Sequence, residues 1–245
     1  MQFAYLHLPA LPQLKRLETI NLLLRERALR PLLGLGDTTK GYPEIIDLVS
    51  LDMSPAHPYH DAVFRVRRPN STEYLHKIRF NHNGSFCDGV TFIPVINGRV
   101  ALTRQFRICV GMETWELARG LAEIADDPST LNVNSFPPTL LRELGEEVIK
   151  DASVTSVTPL GAVAENTGTS NVWTEAYIVS IQAEEATLSE RLGGTQKLGV
   201  RLVTWDELFM PSQLGIRDLH SLAVIMLARE KWCGDGPVST ALITA

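Results

Sequence analysis

Cysteine is scarce in this chain. There are three in 245 residues, Cys87, Cys109 and Cys233, odd in number and far apart. They form no CxxC pair and no Cys/His spacing typical of zinc, so a disulfide framework is excluded and free thiols of a reducing compartment are expected. Long hydrophobic runs are missing as well: no stretch of about 18 uncharged apolar residues occurs, and no transmembrane helix is expected. The opening residues 1–30 lack the basic n-region and small-residue cleavage site of a signal peptide, and Pro9 and Pro12 interrupt their apolar run. A soluble, cytoplasmic protein with no membrane partner is the expectation. Blocks of Lys and Arg are absent too. Twenty-three basic residues stand against 28 acidic ones, a net charge of −5 with a pI near 5.7. Without a basic footprint, nucleic acid is not expected as a partner. A small anionic substrate stays open, since it needs only a few local cations or a metal.

What is present is a chain 44% hydrophobic, enough for one large domain or a domain with an extension, without internal repeats. Residues 12–33 read as an amphipathic helix, with Leu14, Leu17, Ile20, Leu24 and Leu29 near helical spacing. A linker rich in Gly, Thr and Pro follows at 34–43, which sets residues 1–43 apart as an N-terminal helical extension and 44–245 as the main domain. Short β-like runs come next: "IIDLVSL", "DAVFRVRR", "EYLHKIRF", "GVTFIPVI" and "RVALTRQF". Turn signals separate them, the clearest being "NHNG" at 81–84 and the tight-hairpin "NG" at 97–98. After a helix at 139–149, strands at 153–164 and 172–181, "GVRLVTWDELF" and a last helix around 217–232 complete a mixed α/β pattern, a sheet packed between helices.

The helix at 139–149 concentrates charge. "RELGEE" sets Glu143, Glu146 and Glu147 three and four positions apart, hence on neighbouring parts of one face, beside an apolar stripe of Leu140, Leu144 and Val148. Like charges at that spacing repel by a few tenths of a kcal/mol per pair, and Arg142 alone does not offset them. A solvated helix face and a carboxylate set for a hard divalent cation both remain open on spacing alone.

The flanks extend the pattern. "RVALTRQFRICVGMETWELARGLAE" lies upstream and "LGAVAENTGTSNVWTEAYIVSI" downstream. With "RELGEEV" between them, residues 88–182 resemble the Nudix hydrolases, most of all the ADP-ribose and ADP-sugar pyrophosphatase branch. Gly120 fits the opening glycine of the Nudix box and residues 142–147 its helical core. The resemblance implies an α/β/α sandwich with a mixed sheet. It also implies hydrolysis of a nucleoside diphosphate derivative to AMP and a sugar phosphate, Mg²⁺ or Mn²⁺ as cofactor, and a homodimer. Carried over, Glu143, Glu146 and Glu147 are metal ligands and catalytic residues, with the carbonyl of Arg119 a further ligand. Arg142 braces the loop–helix geometry, and Arg107, Glu116 and Gly120 contact substrate.

Three departures stand out. Arg142 lies 22 positions after Gly120, about eight more than the family's box, and Glu123, Asp126 or Asp127 would replace its first glutamate. The closing glycine is replaced by Ile149, so the helix is expected to run on to Lys150 or Asp151. Asn171 stands where that branch often has a catalytic-base glutamate, which leaves Glu165, Glu175 or a box glutamate as the base. The alternative is a Nudix-fold module that binds such a nucleotide with little turnover. His57 and His60 read as members of a polar loop, and no His/Asp constellation supports Ser170 or Ser180 as a nucleophile.

Overall fold

The computed structural model describes residues 11–27, 29–52, 59–81, 88–108, 110–122 and 137–234. Turn 82–84, Cys87, Cys109, His57, and the box insertion with Glu123, Asp126 and Asp127 lie outside the described residues. The chain divides into two compact units, Met1–Asp88 with Ala164–Trp173, and Gly89–Val163 with Thr174–Ala245. Among the described residues no helix is long and apolar enough to cross a membrane.

The first unit holds helix α1 (Gln13–Arg25) and an antiparallel three-stranded meander, β1 (Glu44–Asp52), β2 (Tyr59–Arg67) and β3 (Glu73–Asn81). Ile20 and Leu24 of α1 pack with Leu29, Leu48, Phe64 and Phe80 in one core. Helical periodicity continues in the sequence to Leu29, yet the helix ends at Arg25. Leu29 N–H bonds to the Leu24 carbonyl. The buried Asn21 side chain binds both backbone groups of Leu32, donating to its carbonyl at 2.9 Å and accepting its N–H at 2.7 Å. A side chain thus does for the returning segment what another helical turn would have done. His60, expected in a polar loop, is buried in β2 opposite Phe80.

The second unit is built on a mixed sheet of β4 (Gly89–Ile96), β5 (Arg99–Arg107), β6 (Met112–Glu116), β7 (Ala118–Leu121), β8 (Ser153–Ala164), β9 (Trp173–Gln182) and β10 (Gly199–Val203). The main path runs β10-β5-β4-β9-β8, with β6 beside β5 and β7 beside β4. Strand β4 is buried at all eight positions. Its parallel pairing with β9 explains that unbroken apolar run, since both faces of such a strand are covered. Asn97 and Gly98 both take positive φ (49° and 81°), the geometry of a two-residue hairpin that matches strand twist. Beyond that hairpin β4 and β5 part: β5 pairs only with Val95 and Ile96, while β7 pairs with residues 89–92. Pro94 falls in the gap between these ladders on that side, so its missing N–H leaves no β5 or β7 partner short.

Alternation along β4 sends Val90, Phe92 and Ile96 into one core and Ile93 and Val95 into another. The first core takes Leu140 of α2 (Pro138–Glu143), Leu144 and Val148, and Leu188 of α3 (Glu185–Arg191). The second takes Leu208 of α4 (Trp205–Leu208) and Val224, Ile225 and Ala228 of α5 (Leu219–Gly234). This is an α/β fold with a mixed sheet, helices on both faces and a helix near the N-terminus.

Candidate active site

The acidic segment is not one helix. After α2 the backbone widens into a single π turn over Leu144–Val148, closed by Ile149 N–H to the Leu144 carbonyl at 3.0 Å. Ile149 is extended, with φ of −150°, and the helix stops at Val148 rather than continuing to Lys150 or Asp151. Positive φ appears two residues later, at Asp151, at 54°. Short π turns of this kind are common where helices carry function.

Glu143, the last residue of α2, and Glu147 within the turn face inward, each 6% exposed, while Glu146 stays half-buried. Glu143 accepts from Arg142 at 2.6 Å, and Arg142 also reaches the Leu121 carbonyl at 2.7 Å. Gly120 makes room for this carboxylate: a Cβ there would stand 1.8 Å from the Glu143 carboxyl carbon and one of its oxygens. The opening glycine is therefore needed for close approach rather than for a turn. Burial pushes Glu143 up from 4.5 to about 7; Arg142 opposes the shift, and neighbouring Glu147 and Glu146 add to it. Glu147 accepts from the Gln105 side chain at 2.6 Å and from the Arg119 N–H at 3.2 Å. Burial raises its pKa as well, against the pull of those two bonds and of Arg107.

A second acidic group lies on the neighbouring strands. Glu116, 1% exposed, accepts two bonds from Arg107 Nε at 3.1 and 2.9 Å and a third from Arg107 Nη2 at 2.5 Å, with Thr114 and Arg119 as further partners. Burial alone would lower the Arg107 pKa; Glu116 outweighs it and holds the guanidinium charged. Arg119 also meets Asp218 at 3.1 Å and His220 Nδ1 at 2.7 Å. Asp218 caps the start of α5, accepting from Ser221 N–H and Oγ at 2.8 Å each, while Ser221 Oγ accepts from Leu117 N–H at 2.9 Å. Burial would raise Asp218, but Arg119 and Ser221 together bring it below its usual value.

The second unit thus brings together Arg107, Glu116, Arg119, Gly120, Glu143 and Glu147, with Glu146 on the outer side of the same turn. Glu165 belongs to the first unit. It accepts from Ser170 Oγ at 3.0 Å and lines a cleft of 440 Å³ with Asp61, Lys77, Arg79, Asn166, Thr169 and Ser170. Asn171 is pinned by backbone, its N–H to the Arg79 carbonyl at 2.8 Å and its carbonyl to Arg30 at 3.3 Å. Glu175 lies on β9 and accepts from the Tyr177 hydroxyl. Gln105, Asp218, His220 and Ser221 escaped the sequence reading. Only "DLHS", an Asp three residues before a Ser at a helix start, carried a local signal, and it reads as a cap.

The oxygen donors of Glu143, Glu146, Glu147 and the Arg119 carbonyl are of the type a hard divalent cation takes. Burial raises the pKa of both inner carboxylates against the pull of the neighbouring arginines, and the oxygen chemistry of the set is compatible with a cation. Their present grouping is not a finished shell. The inner carboxylates accept from protein donors, and among the described residues no three His, Cys, Asp or Glu side chains are grouped to hold a metal.

No protein-family model and no curated protein matches the chain. Among solved structures it is similar to an ADP compounds hydrolase, with 13% identity and a TM-score of 0.55, over 80% of this chain and 97% of that one. At that identity the likeness concerns the fold.

Proposed function

We propose that the chain is a Nudix-type pyrophosphatase that cleaves a nucleoside diphosphate derivative, ADP-ribose or an ADP-sugar, to AMP and a sugar phosphate. The observation that carries this reading is the pair of buried carboxylates, Glu143 and Glu147, one turn apart and close to Arg107 and Arg119. A purely structural turn gains nothing from burying two carboxylates that repel each other. The solved ADP compounds hydrolase lends support through its shared fold and what it acts on.

Each residue then has a physical task. Arg107 and Arg119 bring positive charge to an anionic pyrophosphate. Glu143, with a pKa of about 7, is matched to accepting a proton from water near neutrality, and burial shifts Glu147 in the same direction. Gly120 leaves Glu143 the room it occupies. Glu143, Glu146, Glu147 and the Arg119 carbonyl would hold Mg²⁺ or Mn²⁺, which when bound neutralises phosphate charge and lowers the pKa of water. Holding it requires Glu143 and Glu147 to exchange bonds with Arg142 and Gln105. A homodimer is proposed on the exposed Phe106, Ile108, Val110 and Met112 beside Arg107; a monomer by sedimentation at micromolar concentration would remove it.

The ungrouped carboxylates favour a second reading, a module that binds the nucleotide with little turnover. One experiment separates the two. The protein is incubated with nucleoside diphosphate derivatives and Mg²⁺ or Mn²⁺, and AMP release is followed. Release that depends on metal and disappears in Glu147→Gln supports the enzyme; saturable binding without AMP supports the module.

A further inference from the structure

The π turn ends a helix at the wrong pole for its charge. The C-terminal end of a helix exposes carbonyls equivalent to a partial negative charge of about half an electron, and here it also carries Glu146 and Glu147. The turn's own N–H groups do not relieve this. Ile149 N–H is used by Leu144, and Lys150 N–H goes to the Arg191 carbonyl at 3.0 Å.

The missing donors come from residues 193–196, which follow α3. Gly193 N–H bonds to the Val148 carbonyl at 2.7 Å, Thr195 N–H to Gly145 at 3.0 Å and Gln196 N–H to Glu146 at 2.9 Å. The Gln196 side-chain amide reaches the Glu146 carboxylate at 3.3 Å, on the oxygen that Arg142 approaches at 3.5 Å. Arg191 donates from Nε to the Lys150 carbonyl at 3.0 Å and from Nη2 to Asp151. Contact is tight enough to require glycine. A Cβ at Gly194 would stand 2.4 Å from the Glu146 carbonyl oxygen and 2.6 Å from that of Gly145, and Gly193 and Gly194 both have positive φ, 87° and 58°.

We propose that loop 193–196 is a positioning clamp for the carboxylate turn. It supplies from elsewhere in the chain the cap that a closing glycine would have supplied locally, and it fixes Glu146 and Glu147 by offsetting the carbonyl charge at their backs. Gly194 and Gln196 are its positioning residues, acting through the turn and not on substrate. As a device for catalysis the clamp rests on the functional reading above; as a determinant of the turn's geometry it does not.

Gly194→Ala tests it, with Gly215→Ala as control. Gly215 has a comparable φ of 74°, but a Cβ there would meet nothing within 4 Å. Backbone hydrogen exchange at Ile149 reads the π bond directly and needs neither metal nor substrate. Mn²⁺ affinity by electron paramagnetic resonance and steady-state hydrolysis of ADP-ribose read the carboxylates. In Gly194→Ala we expect Ile149 to exchange at least about tenfold faster, Mn²⁺ to bind about tenfold more weakly, and kcat to fall with KM little changed. Gly215→Ala should lose melting temperature without any of these changes. Unchanged exchange at Ile149 in Gly194→Ala overturns the clamp. Faster exchange with wild-type Mn²⁺ affinity and kcat overturns its positioning role and leaves a structural cap. If the wild type hydrolyses nothing, the enzymatic reading fails while Ile149 exchange and Mn²⁺ affinity still decide the clamp.

Discussion

Glu143 is a group whose folded pKa is raised, from 4.5 to about 7. The folded state keeps a proton that the unfolded chain has released, so this group's stabilisation is full below the unfolded pKa and is lost as pH rises through about 7. The loss is on the order of 3 kcal/mol. Without divalent metal, the melting temperature should therefore drop between about pH 5 and about pH 8, and Glu143→Gln should flatten that drop. A wild-type profile as flat as the variant's in calorimetry would contradict the buried, protonated carboxyl. Gly120→Ala acts on the same side chain by sterics. The new Cβ evicts the Glu143 carboxyl, which can swing aside, so melting should change little while turnover falls about a hundredfold. Equal loss of stability and activity would mean that the backbone had moved instead. Glu143 and Glu147 were legible as neighbours because a spacing of four puts them on one side, whereas Glu146, expected on the same face, lies on the outer side of the turn. Gln105 and Ser221 were not legible, because a period says which way a side chain points and nothing about what it meets 42 or 104 residues away.

Elements show the same division. Strands β4 and β5 and their hairpin follow from apolar runs around Asn97-Gly98, since local backbone preference and burial agree there. The acidic helix was legible as a helix but not as α2 plus a π turn, because the groups that hold its end lie beyond position 190. Similarly, α1 stops short because Asn21 binds Leu32. The loop that carries Glu165 and Asn171 is fastened within the first unit by a buried ion pair. Arg30 meets Asp88 at 3.0 Å and the Asn171 carbonyl, and Asp88 accepts from Trp173 N–H at 2.7 Å. Burial raises the Asp88 pKa against those bonds. Arg30→Met would remove the paired cation from a carboxylate that is 1% exposed, a loss of about 3–5 kcal/mol. Adding Asp88→Asn should recover part of it, and chemical denaturation of both variants checks this; a single variant as stable as wild type would show that the pair is dispensable.

For the whole molecule, metal should act as a native-state ligand. Millimolar Mg²⁺ is expected to raise the melting temperature at neutral pH by mass action, and Glu147→Gln should abolish the shift while keeping much of the fold. Because Glu143 must give up its proton to bind a cation, the shift should weaken below about pH 7. A pH-independent shift that survives in Glu147→Gln would place the ion elsewhere. The two cores of the second unit follow from alternation along β4, whereas the order of its sheet, with β4 parallel to β9, rests on long-range pairings that no local pattern encodes.

The first unit is discontinuous in sequence, running from Met1 to Asp88 and completed only by Ala164–Trp173. On the ribosome this has a cost in time. When Asp88 emerges, its partner amide at Trp173 has yet to be made, and 85 further residues must be added. At about 5–20 residues per second, that is a wait of roughly 4–17 s. Throughout it, the nascent meander lacks the strip that pairs with Arg79, and the Arg30–Asp88 pair lacks the backbone that surrounds it. The last-synthesised piece of the first unit comes after most of the second unit's sheet, so the N-terminal half of this chain is committed early but finished late.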